Sequence, residues 1–144
     1  MGSVLALGTA LAGLFSLALG IVHVWVPRIF AFDRAIGQDG TAACLGTIGV
    51  GPWSYARRRS DARGLTWVMS NAASYVLVSI GLLDLAWVAG SRVVPVALGG
   101  AWIAGWWAIR AGGQMVVGRR VWDLALTGGF TALAAWHLIL AASA

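Results

Sequence analysis

The chain alternates between long uncharged stretches and short segments that carry arginine and aspartate. The clearest uncharged stretch is 66–87, in which Asp84 is the one ionisable residue. At about 1.5 Å of rise per residue, a helix of that length crosses a hydrocarbon core of roughly 30 Å. Comparable stretches cover 3–26, 93–111 and 121–142. The pattern predicts an all-α protein, a polytopic bundle of transmembrane helices that forms a single domain over residues 1–144.

The stretch 41–56 leaves the number of spans open. It is uncharged but short, rich in glycine and interrupted by Pro52. Runs of this length are often buried or interfacial pieces rather than spans. Without a span here, the connection after the first helix would be about forty residues long, and long unstructured loops are uncommon in compact proteins. We therefore expect five spans, with four as the alternative.

Composition and charge support a membrane location. The chain is 60% hydrophobic and 10% charged, whereas a soluble domain has about 25% charged residues. The arginines cluster in connections such as 57–64 and 119–120, which the positive-inside rule assigns to the cytoplasm. We expect an integral protein of the bacterial cytoplasmic membrane, surrounded by lipid and without a nucleic-acid partner. The charge rule favours four spans, whereas loop length favours five. Under either count, the helices 66–87 and 121–142 both run from the cytoplasm to the exterior.

Each long stretch carries a face of small, polar or aromatic residues, which is typical of helices that face protein rather than lipid. The faces are Thr9, Gly13, Ser16, Gly20 and His23 in the first; Trp67, Ser70, Ser74, Leu77, Gly81 and Asp84 in 66–87; Gly99, Trp102, Trp106 and Arg110 in 93–111; and Asp123, Thr127, Phe130, Ala134 and His137 in the last.

Asp84 and His137 are the sharpest candidates for chemistry, because helices that run in the same direction place them at similar depth near the outer end. An apolar surrounding favours the protonated form of a carboxyl group, which makes it a usable proton donor. A histidine at the same depth could orient or accept that proton. The alternatives are an Asp84 that is solvated or paired with Arg92, and a packed His137 bonded to a backbone carbonyl.

Other candidates are aromatic or polar residues within the spans. Several of the nine tryptophans lie at span ends and indicate an interfacial belt: Trp25, Trp67, Trp87 and Trp122. Others lie deeper, where indole faces attract cations. We expect the substrate to contact Trp102, Trp106, Trp136, Asn71 and His23. The alternative for the tryptophans is simple packing beside glycine, and for Asn71 it is a hydrogen bond to a neighbouring helix. Asp123 is expected to cap its helix or to pair with Arg110.

Asp84 with Trp102, Trp106 and Trp136 resembles, in residue character, the small bacterial integral-membrane terpene cyclases. That resemblance covers the whole chain in hydropathy but no specific spacing. It implies a helical bundle, an aromatic-lined cavity and a buried acid that works without metal or other cofactor. The expected activity is acid-initiated cyclisation or isomerisation of an apolar isoprenoid-type substrate. The segment HVWVPRIF is also similar to small bacterial membrane families such as the DoxX-like proteins.

Two other functions stay open. The faces of small residues suit a non-enzymatic subunit or scaffold, which binds a partner membrane protein or a second copy of itself. His23 and His137 also suit the axial positions of one b-type haem, if the chain has five spans. The sequence contains no HExxH, GxSxG, P-loop or Cys/His ligand pattern, which disfavours a metallohydrolase and a nucleotide-driven pump.

Overall fold

The structure is a computed structural model of the chain, and it describes residues 2–29, 44–50, 53–117 and 121–144, without the side chains of 44–50, 53–63 and 116–117. All its long elements are helices. In chain order the elements are α1 (Ser3–His23), α2 (Val26–Ile29), β1 (Cys44–Val50), β2 (Trp53–Arg58), α3 (Arg59–Val88), α4 (Val96–Val117) and α5 (Val121–Ala142).

Three of the described helices are long and apolar enough to cross a membrane: α1, the Gly64–Val88 part of α3, and α5. This agrees with the predicted membrane protein. Helix α4 has 22 residues but is not one of the three, because Arg110 and its many glycines and tryptophans lower its hydropathy. The prediction of five spans is therefore not confirmed.

A β-hairpin lies where the sequence predicted a second span. Strands β1 and β2 are antiparallel, with Val50 opposite Trp53 and Cys44 opposite Arg58. Glycine and proline disfavour a helix, and β-branched residues such as Ile48 and Val50 favour a strand, which explains why the described part of 41–56 is not helical. Residues 41–43 and 51–52 of that predicted span lie outside the described residues.

The chain divides into two compact units, Met1–Leu14 with Leu82–Ala144, and Phe15–Gly81. In the second unit α1 approaches α3 closely at Gly20, where an added Cβ would lie 2.9 Å from the Val78 side chain. Glycine at this position lets the two helix backbones pack without an intervening side chain.

In the first unit α4 and α5 pack antiparallel. Near the start of α4, a Cβ added to Gly100 would lie 3.1 Å from the carbonyl oxygen of His137. Two turns further, Trp107 stacks on Phe130 with ring centroids 5.3 Å apart. Gln114, near the end of α4, donates to Asp123. The contacts therefore run along most of both helices.

The buried faces of α1, α3 and α5 are those that the sequence predicted. Their fully buried members are Thr9, Gly13, Ser16, Gly20, Ser70, Ser74, Leu77, Gly81, Asp84, Phe130, Ala134 and His137. In α4 the predicted face is only partly right, since Trp102 is 55% exposed. The buried residues there are Gly99, Gly100, Ile103, Ala104, Trp107 and Ala111. The close approach at Gly100 turns this face toward α5.

The turn between α3 and α4 ends α3 with a Schellman motif. Gly90 has φ +89°, and the N–H of Ser91 donates to the carbonyl of Ala86 at 2.9 Å. Trp87 is buried and its indole N–H donates to the Val94 carbonyl at 2.8 Å. Trp87 therefore fixes the turn, whereas Trp25 and Trp122 are exposed.

Candidate functional site

Asp84 and His137 meet in the interior of the first unit. The Nε2 atom of His137 lies 3.2 Å from Oδ2 and 3.3 Å from Oδ1 of Asp84. Both side chains are 0% exposed. The structure thus brings together the two residues that the sequence predicted to pair. Asp84 is neither solvated nor paired with Arg92, whose side chain is exposed.

The second nitrogen of His137 fixes how many protons the pair holds. Nδ1 lies 2.7 Å from the carbonyl oxygen of Leu133. A carbonyl only accepts, so Nδ1 carries a proton. A second proton lies between Nε2 and the carboxyl group of Asp84, on one or the other. In both cases the pair is neutral overall, which is the form that a buried site accommodates at least cost.

Three helices, α3, α5 and α4, each supply one part of the Asp84–His137 site. Asp84 lies on the buried face of α3, one turn before the helix ends. The i−4 spacing on α5 places the Leu133 carbonyl under the imidazole, which agrees with the predicted alternative of a backbone carbonyl as a partner of His137. Gly100 lets α4 lie directly against the turn that carries His137. The result is an acid–base pair held between helices rather than on a flexible loop.

Two pockets of the first unit lie away from the Asp84–His137 pair. Two pockets, of about 350 and 250 Å³, share Arg92 and Val96 in their walls, and neither is lined by Asp84 or His137. The smaller one extends to Leu140, three residues beyond His137 on α5. The predicted aromatic-lined cavity with an acid at its rim is not one of these two pockets.

The tryptophans predicted to line a site have different surroundings. Trp102 is mostly exposed. Trp106 and Trp136 are partly buried, and their enclosed indole nitrogens have no hydrogen-bond partner within the described part of the chain. The ring of Trp136 lies against Gly8 of α1. Trp136 precedes His137 on α5, and α1 contacts its ring.

His23 and Asn71 belong to the other unit. His23 Nδ1 lies 3.4 Å from the hydroxyl oxygens of both Ser70 and Ser74. Ser74 donates its own proton to the Ser70 carbonyl at 3.0 Å, and Ser70 donates to the His23 carbonyl at 3.4 Å. Because the Ser74 hydroxyl donates to its own helix, Nδ1 is suited to donate to Ser74, whereas Ser70 can donate either to Nδ1 or to the His23 carbonyl. Asn71 is exposed. The Ser70–Ser74 spacing of four was visible in the sequence, but its link to His23 was missed.

The contacts of His137 do not favour the alternative of a haem-binding protein. An axial ligand needs a ring nitrogen with a free lone pair, and both nitrogens of His137 are engaged. Among the described residues, no group of three or more His, Cys, Asp or Glu side chains could hold a metal ion.

The site is therefore defined by its own geometry: one buried carboxyl group, one imidazole and a shared proton. No protein family, curated protein or solved structure matches this chain.

Proposed function

We propose that this chain is an enzyme of the bacterial cytoplasmic membrane that converts an apolar isoprenoid-type substrate by acid-initiated cyclisation or isomerisation. Asp84 is the proton donor and His137 positions and returns the proton. The observation that carries the proposal is the enclosed Asp84–His137 pair, with 3.2 Å between Nε2 and Oδ2, in a part of α3 apolar enough to cross a membrane.

The proposed reaction balances within the pair. The carboxyl proton adds to a substrate alkene carbon, a C–H bond forms from the π electrons, and a carbocation and the Asp84 carboxylate result. Loss of a proton from a neighbouring carbon forms the new double bond and restores the neutral pair, so no net proton is consumed. We propose that Trp136, a partly buried indole on the same helix as His137 with its ring against Gly8 of α1, stabilises the cation by its face.

Substrate access is proposed from the smaller pocket. Its wall includes Leu5, Leu140 and Ser143, and Leu140 is 2% exposed. An apolar chain in this pocket meets the buried Leu140, one turn beyond His137 on α5, and we propose that Leu140 moves aside to let it reach His137. The proposal therefore requires a side-chain movement at Leu140 before chemistry.

The test compares purified wild type with Asp84→Asn on prenylated substrates. The asparagine amide can donate to Nε2 of His137 and keep the hydrogen bond, but it has no acidic proton to transfer. We expect turnover by the wild type and a loss of about 10²-fold or more in Asp84→Asn, the usual contribution of a general acid. Asp123→Asn is the matched control and keeps the activity. Equal turnover by wild type and Asp84→Asn, or none by the wild type, contradicts the proposal.

A second candidate function is a non-enzymatic subunit or scaffold. It is favoured by small residues that α4 exposes at a spacing of three or four, Ala101, Gly105 and Ala108, with open space around Gly105. Such a face allows a partner helix to approach closely. Cross-linking in native membranes distinguishes the two functions: a stoichiometric partner that persists in Asp84→Asn, without turnover by the wild type, favours the subunit.

A further inference from the structure

Arg110 is a cation within α4 whose predicted partner is engaged elsewhere. Asp123 accepts from Gln114, with 3.0 Å between Nε2 and Oδ1, and the structure shows no ion pair between Asp123 and Arg110. Within the described part of the chain, the contact of the Arg110 guanidinium is the face of Phe130, with 5.7 Å from Cζ to the ring centroid. This contact occupies one face of the guanidinium and none of its N–H groups.

Two buried indole N–H groups lie within about one helical turn of Arg110. The Nε1 atoms of Trp106 and Trp107 have no hydrogen-bond partner among the residues that the structure describes. Trp106 precedes Arg110 by four residues, so both lie on the same side of α4. Trp107 is fully buried and stacks on the same Phe130 ring that Arg110 covers. A buried donor without an acceptor is unfavourable, and here three neighbouring side chains are donors only.

We propose that Arg110 and Trp106 form a binding site for a phosphate-type oxyanion. The guanidinium fork matches two phosphate oxygens, and the Trp106 indole adds a neutral donor one turn away. Arg110 is only partly buried, so the anion enters beside it and reaches the enclosed indole. Phosphate oxygens supply the acceptors that the described residues do not provide at this place.

The position along α4 favours the headgroup of an anionic phospholipid as the source. Arg110 is ten residues beyond Gly100, which contacts the His137 turn, so the site lies about 15 Å further along the helix. It is therefore distinct from the Asp84–His137 pair and independent of its chemistry. The connection after α4 is cytoplasmic by the charge rule, and basic sites between helices on that side bind anionic headgroups.

The test titrates the full-length protein, in neutral detergent, with phosphatidylglycerol, phosphatidylcholine or inorganic phosphate, and counts bound molecules by native mass spectrometry. We expect phosphatidylglycerol to bind about tenfold more tightly than phosphatidylcholine. Loss of a charge-assisted hydrogen bond predicts that Arg110→Gln weakens binding by about tenfold or more. Trp106→Phe, which removes the indole N–H, weakens it by about threefold or more. Trp102→Phe, one turn away on an exposed position, is the matched control and stays within about twofold of the wild type.

Two arms identify the source of the anion. Binding or competition by inorganic phosphate at the same site supports a free phosphate ligand, and preference for phosphatidylglycerol without such competition supports a lipid headgroup. Equal binding of the two lipids with no binding of phosphate overturns the proposal, as does wild-type affinity in both Arg110→Gln and Trp106→Phe. If Arg110→Gln loses its helical circular dichroism, Trp106→Phe and Arg110→Lys carry the test. Arg110→Lys keeps the charge but not the fork, and it weakens binding by about threefold or more.

Discussion

At the scale of single residues, Asp84 and His137 depend on each other because both are fully enclosed. The sequence could predict that they lie at one depth, since each is the lone ionisable group on its helix face near the outer end. It could not predict the Leu133 carbonyl as the partner of Nδ1, because the rotamer of His137 is set by packing. It also could not predict that Asp123 prefers Gln114 to Arg110, which depends on the register between α4 and α5.

Two substitutions of Asp84 should lower the free energy of unfolding by different amounts, because only one of them leaves His137 a hydrogen-bond partner. Asp84→Leu leaves Nε2 of His137 buried without a partner, and we expect the free energy of unfolding to fall by about 3 kcal/mol. Asp84→Asn retains a donor to Nε2 and should lower the free energy of unfolding by about 1 kcal/mol or less. His137→Leu should cost as much as Asp84→Leu, and the double variant less than the sum, with a coupling energy of at least about 1 kcal/mol.

Unfolding in mixed detergent micelles, followed by far-ultraviolet circular dichroism, measures these differences. Ser79→Ala is a suitable control for α3, because the Ser79 hydroxyl donates to its own helix on an exposed edge. Additive single-variant effects, or equal costs for Asp84→Asn and Asp84→Leu, would show that the two side chains do not stabilise each other.

At the scale of elements, the sequence predicts a buried face well where each turn carries one distinctive residue. In α3 the small and polar positions repeat on one side, and that side is buried. In α4, glycine and tryptophan occur all round the helix, so periodicity does not select a face, and the contact at Gly100 decides it. The hairpin Cys44–Arg58 illustrates another limit, because length and lack of charge do not distinguish a short span from paired strands.

Replacing two glycines by alanine should change the free energy of unfolding in opposite directions, one glycine being in the turn after α3 and the other within α4. Gly90 has φ +89°, where a Cβ is strained, so Gly90→Ala should lower the free energy of unfolding by about 1 kcal/mol. Gly105 is a helical position with open space around it, and Gly105→Ala should raise that free energy by about 0.5–1 kcal/mol. Denaturation in the same micelles measures both. A stabilised Gly90→Ala variant would contradict the left-handed turn.

The contact between α1 and Trp136 gives a third stability prediction. A Cβ at Gly8 would overlap the Trp136 ring, so Gly8→Ala should cost about 1–3 kcal/mol, as overpacking usually does. Gly128→Ala, which meets open space on α5, is the matched control and should be neutral or stabilising. Replacing Trp136 by Leu in the Gly8→Ala background should recover part of the loss. Equal stability of Gly8→Ala and Gly128→Ala would mean that the ring does not lie against α1.

At the scale of the whole molecule, the remaining question is how many times the chain crosses the bilayer. Helix α4 is weak by hydropathy alone, but it packs antiparallel to α5 from Gly100 at one end to Gln114 at the other. Packing along a candidate spanning helix over that length favours a crossing by α4 as well. Counting α4 with the three helices that are long and apolar enough to span, we expect four spans, which is also the count that the arginine distribution prefers.

Four spans place both Ser3 and Ser143 outside the cell, whereas five place Ser3 inside and Ser143 outside. Both side chains are exposed, so each can be replaced by cysteine in a Cys44→Ser background, which removes the native thiol. We expect a membrane-impermeant maleimide to label Ser3→Cys and Ser143→Cys equally in intact cells. Ser143→Cys is the internal control, because both counts put it outside. Labelling of Ser143→Cys alone, with Ser3→Cys reacting only after the cells are opened, would mean an odd number of spans: either a fifth span between α1 and α3, or an α4 that does not cross the bilayer.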